Sequence, residues 1–507
     1  MAPKETASPA VQKAGCCECA CSCGKRSQEP PALFVDDDFP ARWHVLCHHA
    51  AAAAWLRPHE LCAEPRLVKD GCSRFAVQQG YIGDCWFMAA CAAVAECDRI
   101  LQQVIPEGQV LFGPGYDGSV RFRLWHLGEW VEVRVDDRLP VDAHGVPVYA
   151  RCQHKDEFWL PLLEKAFAKF HKHFGVIEGG WLSEGLINLT GYSMQVLKME
   201  HWNVWNTDEN FLRLKHAFDN GHLIVCAKYK SGPGLPAPHA YTVTKVYQRD
   251  PHKGEDVLQL IRVRNPWGSH DKWNGGPWKD GDERWAKLSK EEKEIIEYNP
   301  QDNGEFWMSM EDFKNNFEEV VIGTQQPVGA EEMKVVGQIT GCWSKDQEVG
   351  GDHTEIETFA KNPQFSLVSL GCDDTEAGHV ENPMEGMEAI VELVRGHRRK
   401  NSEDWMNIAF YVFEGSGEQR LSAEQLRALE RVEGSTKLMR EVAVSARLRL
   451  RPGRRYVVIP ATEHAGQEGT FLLRVFSRCA RVRLSQLPPA PTPAPTPAPA
   501  PQPTAAT

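Results

Sequence analysis

Gln79-Gly-Tyr-Ile-Gly-Asp-Cys-Trp86 runs directly into the apolar stretch Phe87–Ala95, and this junction decides how the chain is read. Glycines at 80 and 83 allow a tight backbone turn. The small and apolar residues behind Cys85 spell a buried helix. Cys85 then falls at a helix N-terminus, where the dipole favours negative charge. The expectation is a thiol with a depressed pKa, whose thiolate is the reactive form. A free cysteine more often simply fills a core. Two glycines, an amide and a tryptophan close by favour the reactive reading.

Around this stretch lies a chain of 507 residues, enough for two to four domains, with ordinary soluble composition: 42% hydrophobic and 25% charged. A net charge of −12 argues against general affinity for nucleic acid. No stretch approaches the apolar length of a membrane span, and Met1-Ala-Pro-Lys-Glu-Thr6 has no signal-peptide core. Of 16 cysteines, five crowd into Cys16–Cys23 and the rest are scattered without paired spacing. Reduced thiols in the cytoplasm are therefore expected.

Residues 1–32 read as a disordered, cysteine-rich segment. Its cysteine cluster lacks the Cys-x2-Cys pair and distant second pair of a zinc site, and reads either as a site of reversible palmitoylation, hence of peripheral membrane association, or as a tail without a role. His48–Trp55 suggests a short helix that Pro58 ends, and residues 72–105 are mainly helical by periodicity. Ser119–Trp125 and Trp130–Val135 alternate as strands do, joined by a tight turn at His126–Glu129. Glu157–Phe174 returns to helical spacing, and Gly179-Gly180 and Gly191 suggest a boundary. Beyond it the character is β, with strands at Leu223–Lys228, Ala240–Lys245, Val257–Val263 and Glu305–Met310 and a Gly/Pro loop at Ser231–Pro238. Val335–Ile339, Gln364–Leu370, Asn407–Phe413, Ala446–Leu450, Arg455–Ile459 and Thr470–Ser477 read as short strands of an antiparallel sandwich. Residues 486–507 form a proline-rich tail.

A nucleophilic cysteine needs a base, and the base needs an orienting group. His239, in Pro238-His-Ala-Tyr-Thr-Val-Thr244, sits where the Gly/Pro loop enters a strand. Asn265, in Arg262-Val-Arg-Asn-Pro-Trp-Gly268, ends the next strand; its carbonyl can hold one imidazole nitrogen and turn the other toward sulfur. Trp267 would cover that bond and exclude water. Gln79 could aim its amide at the developing oxyanion, beside the Cys85 N–H. Singly, each is more often a structural histidine, a turn or a loop residue. Jointly they are far harder to obtain by accident.

Gln79-Gly-x-x-Gly-Asp-Cys-Trp86, His239-Ala-Tyr-x-Val-Thr244 and Asn265-Pro-Trp-Gly268 resemble the three active-site motifs of the calpain cysteine proteases. Trp55-x-Arg-Pro-x-Glu-x-Cys62, Gly128–Val133, Asp136–Pro140, Glu157-Phe-Trp159 and Gly304–Met308 are similar to further calpain segments, in family order. Gly341-Cys-Trp343 through Asn362–Phe365 to Leu472–Ser477 resembles the β-sandwich that follows the calpain core. The resemblance implies an α+β chain: a papain-like core in two subdomains, a helical one at 33–191 with Cys85 and a β-rich one at 192–327 with His239 and Asn265. An antiparallel β-sandwich of the calpain C2-like type follows at 328–485. It further implies limited endoproteolysis of protein substrates through a Cys-His-Asn triad, with calcium as activator drawing the subdomains together. In the first calcium site Gly71 and Glu157 stand at ligand positions, Lys69 offers a backbone carbonyl, and Ala76 replaces an aspartate. In the second, Asp280, Asn303 and Glu305 stand at ligand positions, while Lys272, beside Asp271, replaces a glutamate. Calcium takes about six to eight oxygens, so at least the first site is expected to be weak or empty. Pro238 replaces the usual glycine before the histidine.

With no EF-hand loop before the proline tail, the resemblance is to an atypical calpain, and no penta-EF-hand small subunit is expected as partner. The sandwich reads as a spacer or as a membrane-docking unit, with His397-Arg-Arg-Lys400 offering basic charge to anionic lipid. Two other functions stand beside the peptidase: a non-catalytic interaction or regulatory protein on a protease scaffold, and a papain-type hydrolase of small amides.

Overall fold

The computed structural model describes residues 32–47, 52–198, 207–232, 234–249, 257–268, 273–326, 333–344, 350–370, 387–396, 406–432, 435–478 and 482–488. The Cys16–Cys23 cluster, His397–Lys400, Asp271, Lys272 and the proline tail lie outside them.

The apolar run after Cys85 forms the helix Cys85–Val94, with every residue from Trp86 to Val94 buried. A helix apolar on all sides must be enclosed on all sides. Phe87 stacks on Phe167 at 3.8 Å between centroids. Gly185, in the helix Leu182–Thr190, sits where an added Cβ would lie 3.1 Å from the Ala90 methyl. Trp86 donates its indole N–H to Ile177 O at 3.0 Å and covers Gly180 so closely that a Cβ there would lie 2.2 Å from the ring.

The alternating segments form the hairpin Ser119–His126 and Glu129–Asp136, turning through Leu127 (φ 49°) and Gly128 (φ 96°). The later helical segment is shorter than its periodicity suggests, running Trp159–Phe170. The region from 72 opens with a short turn of helix, Arg74–Ala76, and an extended pair, Val77–Gln78, before the helices at 85–94 and Asp98–Val104. Residues 48–51 of the expected first helix are outside the described set; Ala54–Leu56 instead pairs as a strand with Leu139–Val141. Pro58 opens the helix Pro58–Leu61 rather than ending one, because a first-turn residue needs no N–H partner and proline's φ suits that place.

The second half of this region is a six-stranded antiparallel sheet. Its order is Glu305–Ser309, Leu258–Arg264, His239–Arg249, Leu223–Lys228, Glu319–Thr324, Ser193–Lys198. The first four agree with the strands expected from the sequence. Ser193–Lys198, Glu319–Thr324 and the helix Thr207–Asp219 are additions. The sheet meets the helical half directly, Thr242 Oγ1 donating to Ala89 O at 2.8 Å.

Beyond residue 333 lie two four-stranded antiparallel sheets. One runs Lys334–Trp343, Gly469–Ser477, Met387–Gly396, Ala443–Leu450; the other runs Ile408–Glu414, Arg455–Thr462, Phe365–Ser369, Val482–Gln486. Inward residues of both share one apolar cluster, with Phe365 of one sheet edge-on to Phe471 of the other at 5.8 Å. This unit grips the core at residues 191–193. Arg474 donates to Gly191 O (2.8 Å) and Tyr192 O (2.9 Å) and pairs with Glu392, which accepts from Ser193 Oγ at 2.8 Å.

Candidate active site

The helix Cys85–Val94 presents its first residue to the sheet. The backbone amides of Ala240, Trp86 and Cys85 face the Cys85 sulfur and favour its thiolate. Ala240 follows His239, so the sulfur lies against the start of the histidine strand. The thiol is nevertheless not depressed as the helix position suggests. Burial, reinforced by the neighbouring Asp84, pushes it up to about 11. Desolvation outweighs three amides and a helix end because the charged sulfur has little water around it. An ion pair with a protonated imidazole is then the way to a thiolate near neutrality.

His239 opens the strand His239–Arg249, and Asn265 follows directly on its neighbour Leu258–Arg264. Their adjacency brings His239 Nε2 to 2.8 Å from Asn265 Oδ1. An asparagine carbonyl only accepts, so Nε2 carries the proton and Nδ1 is the nitrogen for proton exchange with sulfur. Asn265 is fully buried, and its Oδ1 also accepts from Trp267 N at 3.0 Å. The Trp267 ring lies against the imidazole at 4.5 Å between centroids and is itself 39% exposed. It walls the His–Asn bond from solvent on one side. Tyr241 meets the imidazole edge-on at 4.9 Å.

Gln79 ties the halves together: its backbone N–H donates to Pro266 O at 2.9 Å. Its side chain is buried, and both amide hydrogens are already engaged, with Ile82 O at 2.8 Å and Asp84 Oδ1 at 3.3 Å. An oxyanion would have to draw one of them away. Gly80 is required by close approach, since a Cβ there would stand 2.0 Å from Tyr149 O.

The expected metal positions do not assemble an oxygen cage. Glu157 is buried, and its Oε1 accepts from Lys69 N at 3.1 Å, so Lys69 meets it with an N–H. Lys69 Nζ pairs with Asp156. Gly71 (φ 87°) is exposed, and Ala76 offers no oxygen from its side chain. In the second set Asn303 Oδ1 accepts from Glu305 N at 3.0 Å, and Asp280 lies in the turn before Asp282. Glu305 Oε1 is held by Arg74 Nε at 2.8 Å and lies 3.4 Å from Arg262 Nε. Two guanidinium groups thus neutralise the carboxylate a cation would need. Among the described residues no group of three or more His, Cys, Asp or Glu side chains could hold a metal ion. The described residues at these positions do not fit calcium.

Sequence reasoning missed several contributors. The Ala240 amide at the sulfur leaves no mark in the sequence. Arg74, pairing across the halves with Glu305, and Arg264, donating to Val77 O at 2.8 Å, are surface-type residues whose burial only the fold reveals. Asp84 and Glu164 are a buried acidic pair beside Cys85; charged residues among the apolar ones of helix 159–170 are the one available signal. A cavity of about 480 Å³, lined by Leu67, Cys72, Leu101, Ile105 and Phe112, takes in Gly71 but none of Cys85, His239, Asn265 and Gln79.

A family model for the calpain family cysteine proteases matches residues 34–324, and one for calpain large subunit domain III matches 339–476. Human Calpain-12 is 34% identical over 496 residues, covering 88% of this chain and 66% of the relative. Calpain clp-1 of Caenorhabditis elegans is 32% identical over 474 residues (89% and 59%). Calpain-B of Drosophila melanogaster is 33% identical over 474 residues (88% and 50%). The chain thus spans between about half and two thirds of the length of these relatives. A chain from the structure of Triatoma virus overlays at a TM-score of 0.16 with 9% identity, covering 47% of this chain and 89% of that one, and carries no argument. The two family models together take in most of the described residues, and the chain belongs to the calpain family of cysteine proteases.

Proposed function

We propose that this chain is a calpain-like cysteine endopeptidase that cuts protein substrates at limited sites. Its working parts are Cys85 as nucleophile, His239 as acid and base, Asn265 as the group that orients His239, and Gln79 with the Cys85 N–H at the oxyanion. The observation that carries this reading is the 2.8 Å His239–Asn265 bond one residue from the amide that faces the Cys85 sulfur. The proton passes from sulfur to Nδ1, and the thiolate attacks the peptide carbonyl. The imidazolium returns the proton to the leaving amine, and a thioester remains. Water, deprotonated by His239, then hydrolyses the thioester and restores the thiol. The sulfur's high proton affinity makes the ion pair, rather than a free thiolate, the resting route.

In this reading residues 33–191 and 192–327 are the two halves of a papain-like core, 328–485 is a β-sandwich, and the enzyme works in a reducing, cytoplasmic setting. The nine described cysteines are all free thiols. Closure of the halves is carried by protein contacts, Gln79 to Pro266, Arg74 to Glu305 and Arg264 to Val77, rather than by calcium. The raised thiol proton affinity also favours a second reading, a non-catalytic calpain-like protein. One experiment separates them: incubation with casein and, in parallel, with an irreversible thiol alkylator. Cleavage that is lost in Cys85→Ala and after alkylation of Cys85 supports the enzyme; an intact protein that never cleaves supports the second reading.

A further inference from the structure

Asp84 stands at the position that precedes the first turn of the Cys85 helix, where an aspartate ordinarily caps the backbone. It makes no such side-chain bond. Its carboxyl turns inward and is fully buried beside Glu164, also buried, from the helix Trp159–Phe170. The two carboxyl groups are near enough for each to bear on the other's proton affinity. Glu164 Oε2 accepts from Ala150 N at 2.9 Å, and Asp84 Oδ1 accepts from Gln79 Nε2 at 3.3 Å. The two remaining oxygens, Asp84 Oδ2 and Glu164 Oε1, are buried and meet no N–H or other O–H donor. Two acceptors can face each other there only with a proton between them. Cys47, Cys85, Cys91 and Tyr149 are among the titratable groups near the pair. Lys165, next in the helix, points away to Asp136 and Arg138 O.

We propose that Glu164 is a positioning residue for oxyanion stabilisation, sharing a proton with Asp84 and so setting how firmly Asp84 holds the Gln79 amide. The proposal rests on the cysteine-peptidase reading. Gln79 has two amide hydrogens, and both are committed in the resting site. The one to Ile82 O is short, while the one to Asp84 is long, so the second is the one to be released to an oxyanion. Stripping an N–H from a buried, fully charged carboxylate is costly. As the Gln79 N–H swings from Asp84 Oδ1 to the oxyanion, the shared proton moves from Glu164 Oε1 toward Asp84 Oδ2. The charge of the pair is unchanged, and Asp84 is never left bare. Burial raises the proton affinity of both carboxyls, and Asp84 raises that of Glu164 further, which keeps a proton available at neutral pH. A purely structural role would sit oddly with two buried acids, which cost stability where apolar residues would not.

The test is Glu164→Gln in the full chain, assayed on a fluorogenic peptide. The amide fills the same space but has no proton to pass on, so the charge stays on Asp84 and Gln79 stays bound to it. The expected result is a fall in kcat of roughly tenfold or more, little change in KM, and an alkaline limb of kcat displaced to lower pH. In a Gln79→Ala background the same substitution should have no further effect, and adding Asp84→Asn to E164Q should recover kcat. Wild-type kcat and pH profile in E164Q overturn the proposal. So does an undiminished effect of E164Q in Gln79→Ala, or failure of the double variant to recover. If E164Q does not fold, Asp84→Asn alone reads the same link: its alkaline limb should retreat to that of the His239 imidazolium, and a limb unchanged from wild type overturns the proposal. Cys85→Ala is run beside them: if it still cleaves, the peptidase reading itself fails, whereas a dead Cys85→Ala with wild-type E164Q removes only the role given to Glu164.

Discussion

Asn265→Ala is the sharpest perturbation of the site, because one buried oxygen serves two donors. Asn265 Oδ1 holds His239 Nε2 at 2.8 Å and Trp267 N at 3.0 Å. Removing it leaves the imidazole free to turn and deprives the imidazolium of its acceptor beneath Trp267. A hydrogen bond to a charged group contributes about 1.5–3 kcal/mol. At about 1.36 kcal/mol per decade, kcat should fall roughly 10- to 150-fold. KM should move little, because Asn265 is fully buried and cannot touch substrate. The loss should fall on the ion pair, so the rate of Cys85 alkylation near neutral pH should drop in parallel, while alkylation at high pH, where the thiol ionises without help, should be nearly unaffected. Asn265→Asp keeps an acceptor for both donors and should keep much more of the rate than Ala. Peptide-cleavage kinetics, an alkylation pH profile and a urea midpoint for each variant decide the matter. Wild-type kcat in a folded Asn265→Ala, or an Asp variant no better than Ala, would refute the role given to this residue.

Further outcomes follow from the same geometry. Chelation of calcium should leave cleavage within about twofold of its value in millimolar calcium, since Glu305 and Glu157 are already engaged; activity that appears only with calcium would reverse that conclusion. Arg74→Ala should lower activity by about tenfold or more by loosening the two halves, without changing the far-ultraviolet circular dichroism, and an unaffected variant would show that other contacts suffice. Gly80→Ala should shift the urea midpoint by the equivalent of about 3 kcal/mol, given a Cβ 2.0 Å from Tyr149 O; a midpoint within error of wild type would contradict that packing. Asp84 has its proton affinity raised to about 7 by burial, against an ordinary carboxylate value near 3.9. A raised folded-state pKa gives a contribution that is whole below about pH 4 and lost as pH rises through about 7, so the urea midpoint should fall across that window, and the fall should be absent from Asp84→Asn/Glu164→Gln.

What could be read in advance follows a physical division. The places of Cys85, His239 and Asn265 in the fold were legible because chain geometry leaves a trace at each: a helix start after two glycines, a loop entering a strand, a strand stopped by proline. The strands with exposed alternation, such as Ser119–His126, were legible for the same reason. The strands Ser193–Lys198 and Glu319–Thr324 lie at the far side of the six-stranded sheet, and the second is buried along its whole length. Burial on both faces erases alternation. The thiol's proton affinity was misjudged because the helix dipole can be read from local sequence, whereas desolvation depends on residues 240 and beyond that fold over the sulfur.

The same division explains why closure of the cleft was illegible. Each half lends the other an arginine. Arg74 of the helical half reaches Glu305 on the edge strand of the sheet, and Arg264 of the sheet reaches the carbonyl of Val77 ahead of the nucleophile loop. Both contacts join residues nearly two hundred or more positions apart, and both flank the segment Val77–Gln79 whose last backbone N–H meets Pro266 O. Glu305 is one charge between Arg74 and Arg262, so a divalent cation placed there would have to displace guanidinium groups that are largely buried. Breaking such pairs leaves uncompensated buried charge, a cost that a single carboxylate and one asparagine carbonyl cannot offset. A sequence shows that a glutamate stands at a ligand position; it does not show that an arginine from the other half is paired with it. Arg74 and Arg264 thus join the two halves on either side of the segment that leads to Cys85.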